Sequence, residues 1–252
     1  MNFENQGQPI AIVKTTRAKK PPLLSVDDKK SAHTNFNEFH LNEEDQFQAI
    51  PDPNTERTIL YISGKSGSGK SYYCKEYVKE YQKLYPKNSI YLFSSLNEDP
   101  TIDEIKNLKR IKLTPDLLEK DLKAEDFKNS LVIADDVDCL TDKKMLKCVN
   151  KILDSILQTG RHTKTSLLIT SHVACNASAT KMILNEAHQI TMFPSTMGNR
   201  NLKYLLDSYL GLDKQQIKKI KGLESRWCAV FKTYPQVVMS ENEAYLISHK
   251  QE

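Results

Sequence analysis

A phosphate-binding loop is indicated by eight consecutive residues, Gly64-Lys65-Ser66-Gly67-Ser68-Gly69-Lys70-Ser71. The three glycines allow a tight turn in which successive backbone N–H groups point inward and form a nest for an anion. Lys70 is placed to contact the β- and γ-phosphates, and the Ser71 hydroxyl can take one coordination position on Mg²⁺. Lys65 is either an additional cation on the nucleotide or a solvent-facing residue. The loop predicts that the chain binds a nucleoside triphosphate.

Two adjacent carboxylates provide the second chemical signal. Asp135 and Asp136 directly follow the continuous apolar run Leu131–Ala134, which is typical of a strand covered on both faces. Ligands of open α/β sheets bind beyond the carboxyl ends of the strands. We therefore expect Asp135 to hold Mg²⁺ together with Ser71, and Asp136 to polarise the attacking water as general base. Asp138 continues the acidic run and is better explained as part of an acidic turn.

Strands and helices alternate around these residues, which predicts an α/β fold with a mostly parallel sheet and right-handed crossovers. Gly160 is expected to end the longest helix as its C-terminal cap. The C-terminal segments 226–231 and 236–239 predict an antiparallel hairpin at the edge of the sheet. The predicted strands cover residues 58–62, 89–94, 110–113, 131–134, 166–170 and 189–193, and the predicted helices cover 70–85, 117–127, 142–159, 177–187 and 202–210.

Bulk composition restricts the classes of protein and the kinds of partner that are compatible with this sequence. The 252 residues carry a formal net charge of +4, which permits a polyanionic partner without requiring one. The five cysteines are odd in number and show no zinc-binding spacing, so we expect reduced thiols in an intracellular compartment. There is no secretory signal and no apolar stretch long enough to span a bilayer, which predicts a soluble protein.

The first fifty residues differ in composition from the rest of the chain. They are polar, contain few branched apolar residues and carry a basic cluster between Lys14 and Lys20. Such a segment is expected to remain a mobile arm, because it buries too little apolar surface to offset its ordering entropy. A tail that binds nucleic acid or a capsid is the alternative. The predicted division is therefore an arm over 1–50 and a nucleotide-binding domain over 51–252.

A third signal is Gly160-Arg161-His162, which precedes the strand 166–170, with Ser171-His172 after it. Together with the loop, the acid pair and the closing segment 225–231, this order resembles the FtsK/HerA class of DNA-pumping ATPases. More narrowly, it is similar to the poxvirus-type genome-packaging ATPases of large DNA viruses and virophages. The resemblance covers residues 58–247.

The resemblance implies a RecA-like P-loop NTPase fold, ATP and Mg²⁺ as ligands, and a ring of copies, a hexamer, around double-stranded DNA. It also implies a viral capsid or portal as partner, and a location in the host cytoplasm, a viral factory or the virion. Arg161 corresponds to the arginine that contacts the γ-phosphate of the neighbouring subunit, with Arg200 and Arg226 as lesser candidates. His172 stands where the family usually has a glutamine that senses the γ-phosphate, and Asp136 where many relatives have glutamate.

The residues that contact DNA are the least visible in the sequence. The basic stretch Lys214–Lys221 is equally compatible with a phosphate-backbone contact and with a solvated helix face. Two other functions use the same loop: a small-molecule or nucleotide kinase, and a nucleotide-dependent scaffold for virion assembly. A kinase would need an arginine-rich lid that is not evident after Thr191, whereas the two acids argue against a scaffold without catalysis.

Overall fold

A computed structural model describes residues 1–27 and 36–247. The strands of the described residues are β1 (Gln8–Lys14), β2 (Leu23–Val26), β3 (Glu38–His40), β4 (Gln46–Ala49), β5 (Ile59–Ser63), β6 (Ser89–Ser94), β7 (Leu108–Arg110), β8 (Ser130–Asp135), β9 (Ser166–Ser171), β10 (Gln189–Met192), β11 (Cys228–Phe231), β12 (Val237–Met239) and β13 (Glu243–Leu246). The helices are α1 (Lys70–Leu84), α2 (Pro115–Glu119), α3 (Lys143–Thr163), α4 (Ala177–Glu186), α5 (Asn199–Tyr204), which continues as a π-helical turn over Leu205–Tyr209, and α6 (Lys214–Lys221).

One ten-stranded sheet organises the chain, in the order β3-β13-β12-β11-β10-β5-β9-β8-β6-β7. The six strands from β10 to β7 are parallel, so their carboxyl ends all lie at the same end of the strands, next to one another. The strands from β11 to β3 continue the sheet in antiparallel pairs. The predicted mostly parallel sheet is confirmed. The predicted hairpin is β11–β12, and two further strands extend the sheet beyond it.

Two apolar clusters cover the two faces of this sheet. Side chains of a strand alternate between faces, and Ile59 and Tyr61 of β5 accordingly join one cluster while Leu60 and Ile62 join the other. The first cluster contains the apolar stripe of α3 together with residues of α4 and α5. The second contains the buried face of α1. The long α3 helix thus buries the stripe that its periodicity predicts.

The first fifty residues contribute to the second cluster. β1 pairs with β2 and with β4 in a separate three-stranded sheet, and Ile10, Leu24 and Phe47 are buried in it. β3 forms the edge of the main sheet by pairing with β13. The prediction of a mobile arm is therefore wrong for the described part of 1–50, because the apolar residues of these strands are buried in one cluster with residues of α1. Positions 28–35 of that prediction lie outside the described residues.

Gly160 does not end the long helix, and this prediction is wrong. The helix continues to Thr163, and Lys164 caps it in the left-handed conformation with φ 55°. Glycine is favoured at this position by close packing instead. A Cβ built on it would lie 2.9 Å from Nη1 of Arg57 and 3.2 Å from the backbone oxygen of Thr165.

The helix predicted over 117–127 forms only in part. α2 begins at Pro115, as a proline in the first helical turn allows, and it ends at Glu119. A separate 3-10 turn follows over Ala124–Phe127, because the Asp126 carboxylate accepts the N–H of Lys123 and starts a new turn.

Candidate nucleotide-binding site

The glycine-rich loop connects the buried strand β5 to helix α1. Gly67 and Gly69 adopt positive φ angles of 74° and 113°, which side-chain-bearing residues rarely tolerate. A Cβ on Gly64 would lie 2.6 Å from Oγ of Ser68 and 2.9 Å from the Phe193 ring. Oγ of Ser68 is buried and has no hydrogen-bond partner among the described residues. An unpaired donor inside a loop of this shape fits an anionic ligand such as a phosphate group.

Lys70 begins α1 and points back into the loop. Its side chain is 6% exposed, and its Nζ donates to the carbonyl oxygen of Gly64 at 3.0 Å. The same Nζ lies 3.6 Å from Oδ2 of Asp136. A buried ammonium between the loop and a carboxylate is placed to neutralise charge on a phosphate bound in the loop.

Asp135 and Asp136 leave the carboxyl end of β8, two strands away from β5 in the sheet. Strand β9 lies between, and its Thr170 hydroxyl contacts both acids, at 2.8 Å from Oδ1 of Asp135 and 3.1 Å from Oδ1 of Asp136. The Ser94 hydroxyl at the end of β6 donates to Oδ2 of Asp135 at 3.0 Å. Burial raises the pKa of Asp135, and the neighbouring Asp136 charge raises it further.

The backbone of Asp136 is strained. Its φ of 45° and ψ of 35° place it in the left-handed region, and its N–H donates to Oγ1 of Thr170 at 3.0 Å. Strained residues are maintained where the surroundings determine their position, and such residues cluster at functional sites. Here the strain directs the Asp136 carboxylate toward the loop lysine.

His172 joins the same cluster. It directly follows β9, and its Nε2 lies 2.9 Å from Oδ2 of Asp136. The structure therefore brings together Lys70, Asp136 and His172, which the sequence had placed on three separate elements. A side chain of this type can exchange its contact with a carboxylate for one with a phosphate.

Asp99 is a site residue that the sequence analysis missed. The Ser71 hydroxyl donates to its Oδ2 at 3.0 Å, and its Oδ1 accepts the N–H groups of Thr101 and Ile102. Asp99 also adds to the electrostatic raising of the pKa of Asp135. It lies in an irregular segment after β6, and no short sequence pattern marks it as a site residue.

Several residues of this cluster carry oxygens of the type that binds Mg²⁺. Ser71, Asp135 and Asp99 provide a hydroxyl and carboxylates, which are ligands of the hard cation type. Among residues 1–27 and 36–247, no group of three or more His, Cys, Asp and Glu side chains is arranged to hold a metal ion. Mg²⁺ typically binds through one or two carboxylates together with substrate phosphates.

Arg161 lies away from this cluster. It is exposed in the last turn of α3, beside the start of β9, and β9 has six residues, roughly 20 Å of extended chain. It lines a cleft of about 870 Å³ with Arg57 and Glu186. Arg57 is 10% exposed and donates to the carbonyl oxygens of Ile156 and Leu157 at 2.8 and 3.1 Å. Arg161 thus lies at the amino ends of the parallel strands, whereas the phosphate loop of the same chain lies at their carboxyl ends.

The other basic candidates have distinct surroundings. Lys65 is exposed. In α6, Lys219 donates to Glu38 at 2.6 Å and lies 3.8 Å from the centroid of the Tyr245 ring. Arg226 lies beside the loop, with Nη2 3.9 Å from a Cβ built on Gly69. Arg200 is an exposed residue of α5.

The described residues contain no helix that is long and apolar enough to cross a membrane.

A glycine-rich loop between β5 and α1, with paired acids two strands away in a parallel sheet, defines a RecA-like P-loop NTPase. A scan against models of known protein families finds no match. The chain is 37% identical over 214 residues to the uncharacterized protein V3 of Sputnik virophage, covering 80% of this chain and 81% of V3. At that identity and coverage, the chain belongs to the family of protein V3.

Solved structures agree with this fold. The DNA-packaging ATPase B204 of Sulfolobus turreted icosahedral virus aligns with a TM-score of 0.52 at 17% identity, over 78% of this chain and 100% of B204. The genome-packaging NTPase B204 of Sulfolobus turreted icosahedral virus 2, in complex with ATP-γS, gives 0.51 at 18% identity, over 74% and 98%. The cytoplasmic domain of the type VII secretion ATPase EccC of Thermomonospora curvata gives 0.51 at 12% identity, over 100% and 30%. The expected likeness to viral packaging ATPases is thereby confirmed for the fold, and the virophage relative agrees with it.

Proposed function

We propose that this protein is an ATP-hydrolysing DNA translocase that packages a viral genome into its capsid. The observation that carries the proposal is the contact between the loop lysine and the second acid, with Nζ of Lys70 3.6 Å from Oδ2 of Asp136. This proximity supports a shared role at one phosphate, at which Lys70 would neutralise charge and Asp136 would act as general base. The virophage relative and the packaging ATPases that share the fold support the choice of a viral DNA motor.

Different residues of one chain have different roles in the proposed hydrolysis of ATP. The backbone N–H groups of residues 64–71 and the Lys70 ammonium hold the phosphates of ATP. Ser71 and Asp135 would hold Mg²⁺, which would supply positive charge that neutralises the phosphates of ATP. Asp136 orients the attacking water and accepts its proton. His172, now in contact with Asp136, senses the γ-phosphate by exchanging that contact for one with the phosphate.

Arg161 completes the reaction in a neighbouring copy. Its exposure and its distance from the loop of its own chain support a role toward another subunit. An arginine supplied in trans stabilises developing charge only in the assembled ring. A closed ring of copies, a hexamer in this proposal, would surround double-stranded DNA and move it toward the capsid or its portal. The protein would then act in the host cytoplasm, a viral factory or the virion.

DNA contacts in this proposal go to the phosphate backbone, as a motor that moves through any sequence requires. In α6, Lys214 and Lys218 are exposed, whereas Lys219 makes an ion pair with Glu38 of the same chain. These two lysines are the residues of α6 that we expect to contact the DNA phosphates.

The test is ATP turnover with and without duplex DNA, combined with a size measurement in a non-hydrolysable ATP analogue. The expected result is turnover that duplex DNA stimulates, and an assembly larger than one chain. The Lys70→Ala variant is the control that removes nucleotide binding. Turnover without any response to DNA would contradict translocation and support a kinase, and an absence of turnover would support a scaffold.

A further inference from the structure

A groove of about 620 Å³ runs along α3, away from the nucleotide-binding site. One wall is the segment that precedes the 3-10 turn Ala124–Phe127, and α3 itself forms the other wall. None of the loop residues 64–71 and neither of the paired acids lines it. The charged residues that line it are mostly lysines, namely Lys123, Lys143, Lys147 and Lys151. We call this space the α3 groove.

Three of these lysines form a row along the helix. Lys143, Lys147 and Lys151 follow one another at intervals of four residues, so they lie on the same side of α3 and span about 12 Å. With 3.6 residues per turn, this side is opposite the stripe with which Met145 and Val149 pack into the first apolar cluster. All three lysines are exposed. We call them the lysine row.

The positive charge of the α3 groove is only partly neutralised within the chain. The first two lysines of the row have no ion-pair partner among residues 1–27 and 36–247. Asp121 pairs with Lys123 at 2.8 Å and with Lys151 at 2.7 Å, and hydrogen bonds from these two lysines lower the pKa of Asp121 to about 2. Exposed ion pairs of this kind contribute little to stability, so both lysines can turn to another anion. Asp154 also lines the groove, and the four lysines exceed the two acids by two charges.

The spacing and the chemistry of the α3 groove fit the backbone of a nucleic acid. One strand of B-DNA carries a phosphate about every 3.4 Å along the helix axis, so the lysine row spans about three or four phosphates. Asn150 and Ser155 also line the groove, and side chains of these types donate hydrogen bonds to phosphate oxygens. Contacts of this kind carry no sequence information, which suits a protein that moves along any DNA.

The place of α3 in the fold agrees with such a role. The buried side chains of α3 and of α6 belong to the same apolar cluster, so both helices cover the same face of the sheet. The exposed lysines of α3 therefore lie on the same side of the sheet as those of α6. The row also begins only seven residues after Asp136, so DNA bound there would lie close in the chain to the proposed general base.

We propose that the lysine row, together with Lys123, binds the phosphate backbone of double-stranded DNA. The partner is identified by its charge, because a row of unpaired lysines is complementary to a polyanion with regularly spaced phosphates. This inference rests on the proposed function, because it takes duplex DNA as the partner of the protein.

The test is the salt dependence of DNA binding by the full chain. A labelled duplex of mixed sequence is titrated at several salt concentrations with the wild type and with the double variant Lys143→Gln/Lys147→Gln. Glutamine removes the charge and keeps a good helix former at both positions. The loss of two phosphate contacts should reduce the slope of log K against log salt concentration by about 2, and it should weaken binding about 10–30-fold at about 0.15 M salt.

A charge-matched control separates the α3 groove from the net charge of the protein. Lys87→Gln/Lys106→Gln removes two charges from exposed lysines. Lys87 follows α1 and Lys106 follows Ile105, and α1 and Ile105 belong to the second apolar cluster, on the other face of the sheet. The control should keep the slope and the affinity of the wild type. Both double variants should unfold at the wild-type Tm, because exposed substitutions change stability little.

The outcomes distinguish this inference from the proposed function. If the wild type binds duplex DNA and the two double variants show the same slope, the lysine row does not contact DNA, and the proposed function is unaffected. Reduced self-association of the groove variant at unchanged DNA affinity would also overturn the inference and would assign the α3 groove to a neighbouring copy. If the wild type binds no duplex DNA at any salt concentration, the proposed translocase fails and this inference with it.

Discussion

Replacing Gly160 by alanine tests the packing between α3 and the strand that leads to the loop. Gly160 lies inside the helix, one residue before Arg161. An added Cβ would lie 2.9 Å from Nη1 of Arg57, 3.2 Å from Cγ2 of Ile156 and 3.2 Å from the Thr165 carbonyl oxygen. Arg57 must then move, because real Cβ atoms do not approach so closely. Its Nη1 would lose the bond of 2.8 Å to the Ile156 carbonyl oxygen.

The expected change in the free energy of unfolding is the sum of three contributions, of which one is stabilising and two are destabilising. Alanine in a helix interior is favoured over glycine by about 1 kcal/mol. The lost hydrogen bond from a charged donor costs about 1.5–3 kcal/mol, and the remaining close contacts cost about 1 kcal/mol, the lower end for overpacking. The net effect is a destabilisation of about 2 kcal/mol, opposite in sign to the helix propensity. For a chain of this size, that lowers Tm by about 4–8 °C.

The assay is thermal or urea unfolding of wild type, Gly160→Ala and a matched glycine variant. Gly222→Ala is the control, because a Cβ there meets only two backbone oxygens at 3.5 Å in ordinary contact, at the end of α6. Its stability should change by less than about 0.5 kcal/mol. If Gly160→Ala is as stable as the wild type or more stable, Arg57 does not hold the end of α3, and the explanation given for Gly160 is wrong.

Three further substitutions test the site itself. Asp136→Asn should still bind ATP but lose turnover by about 10²–10⁴-fold, the usual contribution of a general base; wild-type turnover would exclude Asp136 from that role. Arg161→Ala should bind ATP and unfold like the wild type, yet lose about 10³-fold of the turnover that depends on assembly; a normal rate in the assembled protein would refute the trans arginine. Asp99→Asn keeps an oxygen for the N–H groups of its turn and removes the charge near Ser71, so the Mg²⁺ concentration needed for ATP binding should rise several-fold at unchanged Tm. An unchanged Mg²⁺ titration would show that Asp99 does not contribute to the ion.

The parts of the site that could be predicted are those with a local signal. The glycines of the loop are required by its backbone, and the acids follow directly from a buried strand, so each appears as a short pattern in the sequence. Asp99 belongs to an irregular segment after β6, and the order of the strands in the sheet brings it near Ser71. Contacts of this kind are made by the sheet, and local sequence does not contain them.

The first fifty residues could not be interpreted correctly for a related reason. Their mean composition is polar, which favours disorder when the segment is considered alone. Met1, Ile10 and Val13 are nevertheless buried, because α1 and the main sheet offer an apolar surface for them. The composition of a segment indicates how much apolar surface the segment can bury by itself. It does not include the apolar surface that a neighbouring element of the fold offers.

The pairing of β3 with β13 has a consequence for biosynthesis. Glu38 lies opposite Tyr245, so β3 leaves the ribosome long before the strand with which it pairs. Contacts between such distant segments slow folding, and an unpaired strand edge is open to association with other chains until its partner arrives. The nascent chain therefore carries an unpaired β3 strand until β13 has been translated, and its yield in a recombinant host should depend on chaperone supply.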